Sequence, residues 1–159
     1  MRRARRAGPL ALTGVLVVSL LGGCASDTDR YCGELRQQKQ TLSDLAVQSE
    51  KPGNDVLANT LDVWRKLRDK APDDIHDEWD TLVFALEGVV EAFDAAGTSP
   101  ADYDPAHRPP GVSDAEAKRI EDSAGELTSS RVTKAGDSVE QHARDVCQVD
   151  LGLSGGGAG

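Results

Sequence analysis

The chain has 159 residues, of which 38% are hydrophobic and 4% aromatic, and a formal net charge of −9 at pH 7. That length fits one domain with a modest core, because two Trp, two Tyr and two Phe leave most of the packing to Leu, Val, Ile and Ala. The acidic balance argues against nucleic acid as a partner, since phosphate neutralisation needs clustered Lys and Arg.

Arg2, Arg3, Arg5 and Arg6 precede an apolar run from Leu10 to Leu21, the layout of an export signal and too short for a permanent membrane span. The run ends in Leu21-Gly22-Gly23-Cys24. This segment resembles the lipobox of bacterial lipoproteins: an aliphatic residue, two small ones, then the cysteine that takes a diacylglyceryl thioether before the signal is cut off. The resemblance implies that residues 1–23 are removed and that Cys24 anchors the chain to the outer face of the cytoplasmic membrane. Two acyl chains suffice for a stable anchor. An ordinary cleaved signal with an incidental Cys24 is the alternative. Twin-arginine export fits less well, because Arg5-Arg6 is followed by Ala7-Gly8-Pro9. Without the signal, 14 basic residues face 27 acidic ones, a formal charge of −13, which an anionic lipid surface would repel.

Lipidation of Cys24 leaves two of the three cysteines, Cys32 and Cys147, an even pair that an oxidising compartment favours as a disulfide. Two buried free thiols are the alternative. In the chain-entropy model a closed loop of about 100 residues contributes up to roughly 4.7 kcal/mol.

From Asp27 to about Gln48, Tyr31, Leu35, Leu42 and Leu45 form a stripe at helical spacing, with a polar gap at Gln38. Pro52-Gly53-Asn54 breaks the chain. A second helix, Asp55 to about Lys70, carries Leu57, Leu61, Trp64, Leu67 and Ala71. Pro72 suits the first position of a third, whose stripe is Ile75, Trp79, Leu82, Leu86, Val89, Val90 and Phe93, closed by a glycine cap at Gly97.

Thr98 to Val112 holds Pro100, Pro105, Pro109 and Pro110 and reads as a loop. Ser113 to Glu116 has the pattern of a capping box and opens a weaker helix with Ala117, Ile120, Ala124 and Leu127. Thr128-Ser129-Ser130 interrupts it and caps a last helix, with Val132, Ala135, Val139, His142 and Val146 leading into Cys147. No segment alternates with period two. The expected fold is therefore an all-α antiparallel bundle of four to five helices, stapled by one disulfide. Its layout is a signal peptide at 1–23, a lipidated tether at 24–30, the bundle at 31–148 and a glycine-rich, disordered tail at 149–159. The tether reaches at most about 25 Å.

The lipobox, the cysteine just after it, the Ala71-to-Trp79 segment Ala-Pro-Asp-Asp-Ile-His-Asp-Glu-Trp and the late Val132, Val139, Val146, Cys147 pattern resemble small helical lipoproteins of high-GC actinobacteria. The resemblance implies topology and location and no catalytic residues.

Few constellations carry chemistry. Asp73, Asp74, His76, Asp77, Glu78 and Asp80 crowd one helix start. His76 and Asp80, four apart, are candidate ligands for one metal ion; the helix macrodipole also favours acids there without any ligand. Asp102, Tyr103, Asp104, His107 and Arg108 could form a loop site, against the plainer reading of a solvated connector. His142 reads as a packed histidine rather than a base, and Trp64 and Trp79 as core rather than a ligand groove. Gly152-Leu153-Ser154-Gly155-Gly156 matches the letters of a nucleophile elbow but lacks the strand and helix that motif needs. Zincin, P-loop, dinucleotide and EF-hand patterns are missing, and no cofactor is implied.

The functional expectation is a membrane-anchored, extracytoplasmic, non-enzymatic binding or accessory module of the cell envelope. It would meet a partner protein or small molecule through its acidic surface or the loop at 98–112. Ligand handling, of a divalent cation or of an apolar molecule between helices, is the alternative, with an enzyme the remotest.

Overall fold

A computed structural model of the protein describes residues 26–48 and 56–151, and these form five helices and no strand. They are α1 (Asp27–Gln48), α2 (Val56–Arg68), α3 (Asp73–Ala96), α4 (Asp114–Leu127) and α5 (Ser130–Asp145). The expected signal at 1–23 with Cys24, the Pro52-Gly53-Asn54 break and the chain from Gly152 onward lie outside the described residues.

Local chemistry sets the boundaries. Ser26 Oγ accepts the Asp29 N–H at 3.0 Å while the Asp29 carboxylate accepts the Ser26 N–H at 3.1 Å, two otherwise orphaned donors satisfied reciprocally. Pro72, expected at the first helical position, is instead the N-cap of α3, at φ −70 and ψ 161, one place before the first helical residue Asp73. Gly97 ends α3 in the left-handed conformation, with the Gly97 and Thr98 N–H groups returning to the Asp94 and Phe93 carbonyls. Ser113 and Glu116 complete the expected capping box, and Ser129 Oγ accepts the Val132 N–H to start α5.

The helices follow an up-down-up-down path. Leu45 and Asp44 of α1 face Asp62 and Val63 of α2 across a shared groove, and α2 returns along α3, where Arg65 meets Glu87. The fourth rod is broken in two. Ser123 of α4 lies opposite Gly88 of α3, and His142 of α5 opposite Asp74, so α4 and α5 together run antiparallel to α3. Cys147, just past α5, bonds Cys32 in the second turn of α1, with Cα atoms 5.1 Å apart. The disulfide thus joins the first and last rods at one end of the bundle.

The main core gathers Tyr31, Leu35, Leu67, Trp79, Leu82, Val139 and Cys147, and a smaller cluster of Leu61, Val83 and Leu86 continues it. Burial departs from single stripes at several positions. Val63 is buried because α2 lies between α1 and α3, and Val83, Ala85 and Ala92 because α3 meets neighbours on several sides. Val146 is 48% exposed, since α5 stops at Asp145 and the chain turns Cys147 inward. Ala124 is exposed as well.

The packed chain also continues beyond Gln148, where the bundle was expected to end. Gln148 takes φ 56, the Val149 N–H donates to the Ala143 carbonyl at 2.9 Å, Val149 is buried, and Leu151 packs against the core. At the other boundary, α1 begins at Asp27, as its apolar spacing predicts, so its first turn takes up residues assigned to the tether at 24–30. No helix among the described residues is long and apolar enough to cross a membrane.

Candidate functional site

A helix that buries one side must present the remainder to water, and α3 does so with a distinct composition. Asp73, Asp77, Asp80, Phe84, Glu87 and Glu91 recur at steps of three and four, one stripe of the 3.6-residue period, opposite the buried Ile75, Leu82 and Val89. At its N-terminal end the expected pair is in place, with His76 Nδ1 3.3 Å from Asp80 Oδ2. Asp77, which the spacing argument had not singled out, adds a third donor, and the ligand atoms of His76, Asp77 and Asp80 lie within 4.8 Å of one another.

An imidazole with two carboxylates suits a borderline divalent ion. Arg68 Nε, 3.9 Å from Asp80, competes for the same carboxylate. Of the other acids of the run, Asp74 approaches α5, and Glu78 lines, together with Asp77, an open, charged groove of about 260 Å³ that also holds Arg131, Lys134 and Ser138. Farther along, Arg65 donates to Glu87 Oε1 from Nε at 2.9 Å and from Nη2 at 2.8 Å.

A second polar group is enclosed beside the disulfide. Trp79 Nε1 donates to the Tyr31 hydroxyl at 2.8 Å, and both side chains are fully buried. Burial pushes the Tyr31 hydroxyl up to about 12, so it is a neutral hydrogen-bonding group rather than a base. The His142 ring packs edge-on against Tyr31, centroids 5.6 Å apart, as expected of a packed histidine. Its two ring nitrogens are buried without hydrogen-bond partners among the described residues, and Nε2 stands 3.6 Å from Asp74 Oδ2. Trp79 is core, and Trp64, half-buried, packs edge-on against it at 6.3 Å.

The polar residues of the proline-rich loop are spent on the loop itself and on the start of α4. Ser99 donates to Asp102 at 2.7 Å, the Ala106 N–H to Asp104 at 2.8 Å, and His107 Nδ1 lies 2.8 Å from Asp104 Oδ2. His107 and the Ala106 N–H hold the Asp104 carboxyl below the usual range. Arg108 pairs with Asp114 at the start of α4, and Tyr103 packs edge-on against Phe93. These bonds make a solvated connector with fixed internal geometry, not a convergent site. The apolar crevice beneath it, between Val56, Leu57, Val90, Phe93 and Pro100, encloses about 60 Å³, far below the roughly 300–1,000 Å³ of a typical ligand pocket.

The chain matches no family model, no curated protein and no solved structure. Geometry and chemistry alone therefore weigh the site. Sequence reasoning had missed two further features, Phe84 on the solvent side of α3 and Glu140, which is buried and paired with Arg144 at 2.6 Å. Phe84 was open to detection, because it falls off the stripe that Ile75, Trp79 and Leu82 define. Glu140 carries no such signal.

Proposed function

We propose that the protein is a membrane-anchored, extracytoplasmic lipoprotein that serves as a non-enzymatic binding or accessory module of the cell envelope, akin to small helical actinobacterial lipoproteins. The observation that carries this reading is the Cys32–Cys147 disulfide. Structural disulfides belong to oxidising compartments, and this one leaves Cys24, at the end of the lipobox, as the single remaining cysteine. Three residues, Cys24 to Ser26, precede the first helical residue Asp27, a reach of about 10 Å when extended. The lipid would thus hold the disulfide end of the bundle close to the bilayer and leave the length of α3 facing outward. Intact mass of the mature protein tests the reading: the expected N-terminus is Cys24 carrying a diacylglyceryl group. An unmodified Cys24, or a chain starting elsewhere, overturns it.

The convergence of His76, Asp77 and Asp80 within 4.8 Å favours a second reading, divalent-cation handling. Calorimetry with zinc, copper and calcium on the wild type and on His76→Ala would show heat in the first alone. No heat at millimolar ion ends this reading.

A further inference from the structure

We propose that the solvent face of α3 is a docking ridge for a cationic protein segment, with Phe84 as its central anchor; this rests on the reading of the chain as a partner-binding module. Phe84 is 65% exposed. A lone exposed apolar residue is ordinary, but the frame of this one is not. At 1.5 Å rise per residue, Asp80 and Glu87 stand about 6 and 4.5 Å along the axis from Phe84, and Asp77 and Glu91 about 10.5 Å on either side. An apolar ring is thus bracketed symmetrically by carboxylates on one helix face.

Arg68 and Arg65 of α2 already lie beside Asp80 and Glu87. Asp77 and Glu91 are both exposed; Asp77 lines an open groove that also holds Arg131 and Lys134 but is in no ion pair with them among the described residues. The outer carboxylates are therefore less engaged by the chain's own cations than Asp80 and Glu87, which have Arg68 and Arg65 beside them.

Charge complementarity selects the occupant. A second copy would set acidic ridge against acidic ridge, and anionic lipid or nucleic acid would be repelled by the same carboxylates. A segment with Lys or Arg on either side of an apolar seat satisfies all three points at once. Arg adds stacking over the aromatic face. A ridge one helix wide makes a small contact, so binding would be transient and weakened by salt.

The test uses the full-length chain in cells that produce it, with benzoylphenylalanine in place of Phe84, Ala106 or Glu121. All three residues are exposed, on the ridge, the loop and α4 respectively. The ridge is supported if the probe at Phe84 captures a protein whose crosslinked peptide carries Lys or Arg on both sides of the attachment point. The yield must also fall about fivefold when Asp77→Asn and Glu91→Gln are combined. Capture of lipid or of a second copy, or a yield indifferent to those neutralisations, overturns it. Capture from Ala106 or Glu121 alone overturns the ridge and leaves the binding-module reading standing. No capture from any of the three positions sinks both.

Discussion

Trp79 Nε1 and the Tyr31 hydroxyl meet at 2.8 Å inside the bundle, joining the first helix to the third at the end that the disulfide also closes. Neither side chain has solvent exposure, so no water can replace either partner. A buried bond of this kind contributes little net stability while intact and costs much more when one half is removed.

Tyr31→Phe should therefore destabilise the fold by about 1–3 kcal/mol, the cost of stranding a buried donor. Urea denaturation followed by tryptophan fluorescence measures it. An unchanged midpoint would mean that the Trp79 N–H finds another acceptor.

The same tyrosine sets an alkaline limit. Its pKa is raised from 10 to about 12 by burial, so the folded state binds its proton more tightly than the unfolded chain does. The associated stability is fully present below pH 10 and is lost as pH rises toward 12. A difference of that size corresponds to roughly 2–3 kcal/mol. Melting temperature measured from pH 9 to 12 should fall steeply for the wild type and less steeply for Tyr31→Phe. Parallel slopes would assign the loss to other groups.

The disulfide closes a separation of 115 residues, long enough for a large effect on unfolded-chain entropy. Cys147→Ser, or reduction of the wild type, should cost about 2–5 kcal/mol. Guanidinium titration with and without reductant reads this directly. A loss below about 1 kcal/mol would show that the helix contacts alone hold α1 in place.

Much of this architecture was legible in the sequence because its determinants are local. Caps at Ser113 and Ser129, the glycine stop at Gly97 and the apolar period of α3 each act within a turn or two. Features that depend on partners distant in sequence were not legible. The spacing of His76 and Asp80 announced their contact, whereas Asp74 and His142 come from helices that only the fold brings together. Val63 and Val83 were passed over because a stripe assumes one buried face, and α2 and α3 each bury more than one. Val146 continues a seven-residue pattern that α5 itself does not continue, since the helix ends one residue earlier.

His142 illustrates a cost that such distant packing leaves in place. Both ring nitrogens are buried and without hydrogen bonds among the described residues, an arrangement that an apolar side chain of similar size would relieve. His142→Leu should leave stability unchanged or raise it by about 1 kcal/mol. A loss above about 2 kcal/mol in thermal denaturation would mean that the imidazole gains more from Tyr31 and Asp74 than its unmet bonds cost.

The C-terminal boundary gives the sharpest contrast between composition and packing. Gln148 to Leu151 leads into a run of glycines and invites truncation, yet Val149 is 5% exposed and its N–H is bonded to Ala143. The left-handed turn at Gln148 folds these residues back over the end of α5, beside Cys147. A chain ending at Gln148 loses that hydrogen bond, the burial of the Val149 side chain and the partial packing of Leu151 against the core, of which the first two alone are worth about 2–4 kcal/mol. A chain ending at Leu151 keeps all three. Chemical denaturation should therefore separate the two truncations by at least that amount, and coincident curves would show that the core closes without Val149 and Leu151.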